Sequence, residues 1–63
     1  MTVELQYEDQ RPVSAIVTLN GSTYTIPIQQ KLGEWVPDLR GISFDGVILM
    51  RLQLAIAAAI IGV

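Results

Sequence analysis

The last seventeen residues, VILMRLQLAIAAAIIGV (47–63), are apolar except for Arg51 and Gln53. Removal of apolar surface from water is the main favourable term in folding and in association, so a continuous segment of this kind is expected to be covered. The cover is the protein's own core, a partner protein or a membrane. Which of the three applies decides both how the chain folds and what it does.

The length of the chain limits the first option. A domain of about 60 residues buries only about 60% of the surface that its unfolded chain exposes, and such domains often depend on disulfides, metals or partners. The 63 residues include no Cys and no His, which excludes a disulfide framework and a typical zinc site. Hydrophobic residues make up 51% and charged residues 16%, which is not the composition of a disordered chain. We therefore expect partners or lipid to stabilise the fold.

The N-terminal half predicts a mainly β fold, a small three-stranded antiparallel meander. Residues 2–8 alternate between apolar and polar side chains, as a half-buried strand does. Residues 13–19 and 22–28 flank Asn20-Gly21, the dipeptide that most readily forms a two-residue type I′ turn. The register set by this turn places apolar side chains opposite each other on one face, in the pairs Val17–Tyr24, Ala15–Ile26 and Val13–Ile28.

The connection between the first two strands is expected to be irregular. Val3, Leu5 and Tyr7 share the apolar face of the meander only if this connection is a five-residue loop (8–12) or contains a β-bulge. Pro27 cannot donate a hydrogen bond to a neighbouring strand, so we expect it near a strand end or at a solvent-exposed edge.

Composition divides the chain into a β-meander (1–30), an irregular Gly- and Pro-bearing connector (31–46) and an apolar C-terminal arm (47–63). Asp45-Gly46 resembles a second hairpin turn. A two-residue turn there would place Arg40 opposite Arg51, which is an unfavourable like-charge pair. A hairpin and an irregular connection therefore remain alternatives at this point.

The arm fits a strand, a helix or both. Propensity favours a strand before Gln53 and a helix after it. As a helix, residues 52–61 stack Leu52, Ile56 and Ile60 at a spacing of four residues. Such a helix is apolar all round from Leu54 onward and is expected to be buried on more than one side. As a membrane span, seventeen helical residues reach only about 25 Å against a hydrocarbon thickness of about 30 Å.

The sequence predicts no catalytic, cofactor-binding or metal-binding residues, and no cofactor. Without His or Cys, a Ser-His-Asp or Cys-His arrangement is excluded within one chain, and nothing in the spacing of the carboxylates brings two of them into one cleft. The net charge is −2 and the four basic residues are scattered, which argues against nucleic acid as a ligand. The chain is accordingly not expected to be an enzyme.

We interpret the chain as a non-catalytic structural or interaction subunit that docks into a larger assembly, such as a virus particle or a comparable complex. Trp35 is expected either to plug the apolar face of the sheet or to contact a partner, and the arm supplies further anchors. The predicted partner-binding residues are Trp35, Leu52, Leu54, Ile56, Ile60 and Ile61. The partners are proteins in a homo- or hetero-oligomeric assembly, contacted through the arm and a sheet edge.

The alternative is a single-pass accessory subunit that is anchored in a membrane by its C-terminal arm. All Lys and Arg residues precede Leu52, which would place the N-terminal sheet on the cytoplasmic side. The compartment is not fixed by the sequence; a virion or another large assembly is the favoured location, and a membrane is the second.

Overall fold

The computed structural model describes residues 1–62, and within this range it contains one antiparallel sheet followed by a helix. The sheet order is β1-β2-β3-β4, so each strand pairs with its neighbour in sequence. The predicted mainly β fold is confirmed, with a fourth strand in addition. The elements are β1 (Thr2–Glu8), β2 (Arg11–Leu19), β3 (Ser22–Lys31), β4 (Glu34–Pro37) and α1 (Gly46–Ile61).

The hairpin of β2 and β3 forms as its turn dipeptide predicts. Asn20 and Gly21 have φ angles of 52° and 82°, the two positive values of a type I′ turn. The register confirms two of the three predicted apolar pairs, Val17–Tyr24 and Ala15–Ile26. The third pair, Val13–Ile28, does not form, because β2 is irregular at Val13.

A β-bulge at Val13 provides the predicted irregularity between β1 and β2. Gln6 pairs with Ser14 and Tyr7 with Pro12, so Val13 has no partner in β1. The alternative of a five-residue loop is wrong, because the turn is only the two residues Asp9-Gln10, at positive φ. The extra residue shifts the alternation of β2, which turns Pro12 into the core and leaves Val13 39% exposed.

The predicted irregular connector contains an additional strand. Leu32-Gly33, with φ angles of 53° and 82°, forms a third two-residue turn, which pairs β4 with the end of β3. The prediction for Pro27 is also wrong, because β3 is an inner strand and continues four residues beyond it. Pro27 is instead the last residue of β3 that pairs with β2, and its carbonyl accepts a hydrogen bond of 2.8 Å from the Asp38 N–H.

The arm is helical from its first residues. Asp45 is the N-cap of α1, and its Oδ1 accepts a hydrogen bond of 3.0 Å from the Ile48 N–H. The Asp45-Gly46 hairpin is therefore wrong, as is the strand before Gln53, whereas the helix after Gln53 is confirmed. A capped start followed by good helix formers such as Leu49, Met50 and Arg51 explains the outcome.

α1 packs across one face of the sheet and contacts both of its outer strands, β1 and β4. Leu52 and Ile56 are fully buried against sheet residues, among which Ile26 has no exposed surface. Partly buried side chains from the strands, the connector and the last turn of α1 close the rim of this core; they are Val3, Leu5, Tyr24, Trp35, Leu39, Ile42, Phe44 and Ile60. One side of the arm is therefore buried in the protein's own core.

We expect Leu52→Ala or Ile56→Ala to lower the free energy of unfolding by about 2–5 kcal/mol, because each leaves a cavity beneath α1. Chemical denaturation monitored by Trp35 fluorescence measures this change. Leu54→Ala is the matched control. Leu54 is 65% exposed, so this variant is expected to stay within about 1 kcal/mol of the wild type. Equal losses at Leu52 and Leu54 would contradict the helix orientation.

We expect Asp45→Ala to lower the free energy of unfolding by about 0.5–2 kcal/mol, because it removes the side-chain acceptor at the start of α1. Asp45→Asn retains an oxygen at the same place and is expected to retain most of this stability. Thermal unfolding of both variants, followed by circular dichroism, makes the comparison. A wild-type melting temperature for Asp45→Ala would show that the cap is dispensable.

Candidate protein interaction surface

The helix α1 has an apolar face on each side. Leu52 and Ile56 face the sheet, whereas a second set of apolar side chains faces solvent. We call this second set the outer stripe: Val47, Met50, Leu54, Ala57 and Ile61. The four larger side chains are among the most exposed in the chain, with 63% of the surface of Val47 and Met50, 65% of Leu54 and 82% of Ile61 accessible.

The outer stripe lies opposite the buried face. Successive residues of an α-helix are about 100° apart, so Leu54 projects roughly 200° from Leu52. The two polar side chains of α1, Arg51 and Gln53, lie about 100° to either side of Leu52, on the boundaries between the two apolar faces. The helix therefore presents to solvent a surface as apolar as the one that it buries.

The spacing along the outer stripe is three, four, three and four residues, which is the a/d repeat of helices that pack against other helices. From Val47 to Ile61 it extends about 21 Å along the helix axis. An apolar stripe of this period and length is the surface that a partner helix covers.

A groove between α1 and β4 adjoins the outer stripe. It consists of two depressions of about 440 and 350 Å³, and both are lined by Trp35, Val36 and Ala57. Leu54 lines the first depression and Ile61 the second, so the groove is continuous with the stripe, and polar side chains also contribute to its lining. Trp35 is half-buried; it packs against the core and also lines this groove.

The predicted partner-binding residues fall into two groups. Leu54 and Ile61 are exposed on the outer stripe, and Trp35 lines the groove beside it. Leu52 and Ile56 are fully buried in the chain's own core, and Ile60 packs against that core half-buried. These last three residues are engaged within the chain and, in this conformation, do not offer a partner the surface expected of anchors.

The sequence interpretation missed Val47 and Met50, because the first part of the arm was predicted to be a strand. The signal that would have found them is the unbroken alternation of three- and four-residue steps from Val47 to Ile61. This alternation holds only if the helix starts at Gly46.

The polar side chains of the described region make few contacts with one another. No cluster of three or more potential metal-ligating side chains occurs among residues 1–62. The ion pair of Asp38 and Arg40 lies in the connector and joins residues that are neighbours in sequence. Arg40 Nε and its second terminal nitrogen donate to the two carboxylate oxygens of Asp38 at 2.9 and 2.8 Å.

This pair changes the acidity of Asp38. The side-chain hydrogen bonds from Arg40 stabilise the carboxylate and lower the pKa of Asp38 from 3.8 to about 2, and the backbone N–H of Arg40, 3.1 Å from Oδ1, acts in the same direction. Because the folded pKa lies below the unfolded one, the pair stabilises the fold at pH values above 3.8. This contribution disappears as the pH falls toward 2.

We expect Arg40→Gln to return the pKa of Asp38 toward 3.8, because it removes the charged donor. Titration of the Asp38 carboxyl carbon by NMR measures the midpoint. Arg51→Gln changes the net charge equally but leaves the pair intact, so its Asp38 midpoint is expected to match that of the wild type. A midpoint that does not move in Arg40→Gln would contradict this assignment.

Comparison with protein-family models, with curated proteins and with solved structures gives no match for this chain. In the described residues 1–62, no helix has the length and hydropathy needed to cross a membrane.

Proposed function

We propose that this protein is a non-catalytic interaction subunit that docks into a larger protein assembly, a virus particle or a comparable complex, through the outer stripe of α1, with a sheet edge as a second contact. The observation that carries the proposal is the exposed apolar face of a helix whose opposite face is already buried in the core. A helix needs one apolar face to pack on its own sheet; a second one serves a further contact.

The chemistry of the outer stripe favours a protein over a lipid surface. Helices that lie on membranes combine an apolar face with a polar face rich in Lys and Arg. The single charged residue of α1 is Arg51, and the chain as a whole has a net charge of −2, which gives little attraction to anionic lipids. The regular three-four spacing is, in contrast, the pattern that accepts a second helix.

The energy available from the outer stripe supports a role for a second contact. Full burial of a Val, Leu, Ile or Met side chain contributes about 1.5–3 kcal/mol. Covering the exposed parts of the four larger stripe residues contributes on the order of 4–8 kcal/mol in total. Association costs an estimated 4–15 kcal/mol in lost translational and rotational freedom. The stripe alone therefore gives a weak complex, and the groove or a sheet edge must add to it.

The test places a photo-crosslinking amino acid at Leu54, on the outer stripe, in a tagged chain expressed in the cells that produce the protein. The expected result is a protein adduct of one defined mass. The matched control carries the same amino acid at Thr25, which is exposed on the face of the sheet opposite α1, and is expected to give no such adduct.

Competition establishes whether the outer stripe is responsible. Excess untagged wild-type chain and the untagged Thr25→Arg variant are expected to suppress the Leu54 adduct, whereas Leu54→Arg is expected not to. If the adduct is absent, or if Leu54→Arg competes as well as the wild type, the proposal is wrong. Flotation of the chain with neutral or anionic liposomes, lost in Leu54→Arg, would favour the membrane alternative instead.

A further inference from the structure

The two outer strands of the sheet differ in what their free edges offer to another strand. In antiparallel sheets, alternate residues direct their backbone N–H and C=O groups toward opposite neighbours. The pair Leu19–Ser22 flanks a two-residue turn and is hydrogen-bonded, so Val17 and Ala15 also bond to β3. The residues between them, Thr18 and Ile16, bond to β1.

This pattern determines which groups of β1 face outward. Thr2 and Glu4, which pair with Thr18 and Ile16, use their backbone groups within the sheet. The backbone groups of the alternate residues, Val3, Leu5 and Tyr7, therefore point away from β2, toward the free edge.

The edge at β4 is shorter and partly blocked. Glu34 pairs with Lys31 beside a two-residue turn, so Glu34 and Val36 bond to β3, and Trp35 and Pro37 face outward. Pro37 has no N–H, which leaves Trp35 as the one outward donor among the four residues of β4. Short length and proline are the usual protections of a free edge.

The edge at β1 lacks these protections. Its seven residues, TVELQYE, include no Pro and no Lys, and the extra residue of the bulge belongs to β2. All seven are exposed or half-buried. Among residues 1–62, no hydrogen bond from a side chain or from a loop reaches the outward groups of Val3, Leu5 or Tyr7.

We infer that β1 pairs antiparallel with β1 of a second copy of this chain, about a two-fold axis at Leu5. In this register Leu5 faces its own copy and Val3 faces Tyr7, so every outward N–H and C=O of these residues finds a partner. The inference rests on the proposed function in that it assigns the sheet-edge contact of the assembly to a second copy.

The positions of the carboxylates favour this register over the two registers in which the axis is shifted by one residue. With the axis at Leu5, Glu4 faces Gln6 of the second copy and Glu8 faces Thr2, so no carboxylate faces another. Moving the axis one residue toward the N-terminus places Glu4 opposite Glu4, and moving it one residue toward the C-terminus places Glu4 opposite Glu8. Like charges directly opposite each other in a sheet are destabilising, so both alternatives are disfavoured.

The apolar face continues across the proposed junction. Val3, Leu5 and Tyr7 lie on the side of the sheet that α1 covers, and Tyr7 is 45% exposed. Pairing places Tyr7 beside Val3 of the second copy. Because the two-fold axis is perpendicular to the sheet, both helices lie on the same side of an eight-stranded sheet, and both outer stripes remain free for other partners.

The first test varies the charge at Gln6. In the proposed dimer, Gln6 of each copy faces Glu4 of the other copy, so the dimer contains two such pairs. We expect Gln6→Lys to tighten the dimer and Gln6→Glu to weaken it, each by roughly 2- to 30-fold. Sedimentation equilibrium at low salt over a concentration series measures the dissociation constants. Both variants alter the contact with Ser14, whose Oγ donates to Gln6 at 2.8 Å, so their opposite effects cannot arise from that loss.

Matched controls carry the same changes at Gln29, which is exposed on β3 and pairs with Val36 of β4, away from β1. Gln29→Lys and Gln29→Glu change the net charge equally and are expected to leave dimerisation within about 2-fold of the wild type. A chemically synthesised chain with an N-methyl group on the Leu5 amide is expected to be monomeric. The same group on the amide of Ser43, which lies in the connector and donates no hydrogen bond within residues 1–62, is expected to have no effect on dimerisation.

The outcomes separate this inference from the proposed function. The inference is supported if the affinity of the dimer decreases in the order Gln6→Lys, wild type, Gln6→Glu and if N-methylation of Leu5 abolishes the dimer. This holds whatever Leu54 cross-links to. A chain that is monomeric at every concentration overturns it. A dimer that ignores Gln6 but is lost in Leu54→Arg also overturns it, and shows that the outer stripe, as the proposed function requires, is an interaction surface.

Discussion

The packing of Leu52 and Ile56 on the apolar face of the sheet is the interaction on which the rest of the structure depends. The meander is apolar on one side only, and a sheet of this kind is not stable without a cover. The cover is the last element of the described chain, so the N-terminal strands and the C-terminal helix stabilise each other. The bulge at Val13, the cap at Asp45 and the edge-to-face contact of Phe44 with Tyr24, with ring centroids 5.0 Å apart, all accompany this packing.

The same helix explains why an apolar surface of the described chain stays exposed. The sequence of α1 is apolar on both sides of the helix, but the sheet buries only one side. The opposite side remains exposed as the outer stripe. The sheet is likewise open at β1, where backbone groups lack partners among the described residues. The two surfaces differ in chemistry: the stripe offers apolar area without direction, whereas the edge offers directional hydrogen bonds that specify a register. Together they suit a subunit with more than one neighbour.

Much of the sheet was predictable from sequence, because period-two alternation and Asn20-Gly21 specify the same register independently. β4 was not, since Leu32 is an unusual residue for the first position of such a turn and four residues are too few to show alternation. The start of α1 was ambiguous because a short apolar run fits a strand and a helix equally well. The division of the arm into buried and exposed faces was also beyond the sequence: Leu52 and Leu54 have the same chemistry, and only the position of the sheet distinguishes them.

The strict neighbour-to-neighbour order of the sheet has a consequence for how quickly the chain folds. Each of the three hairpins closes across a two-residue turn, so the strands assemble through contacts between residues that are close in sequence, and hairpins of this kind form in about 1–10 μs. The docking of α1 on β1 is different, because it joins opposite ends of the described chain. Closing this long loop costs the most chain entropy, so we expect the docking of α1 on β1 to be the slowest step of folding.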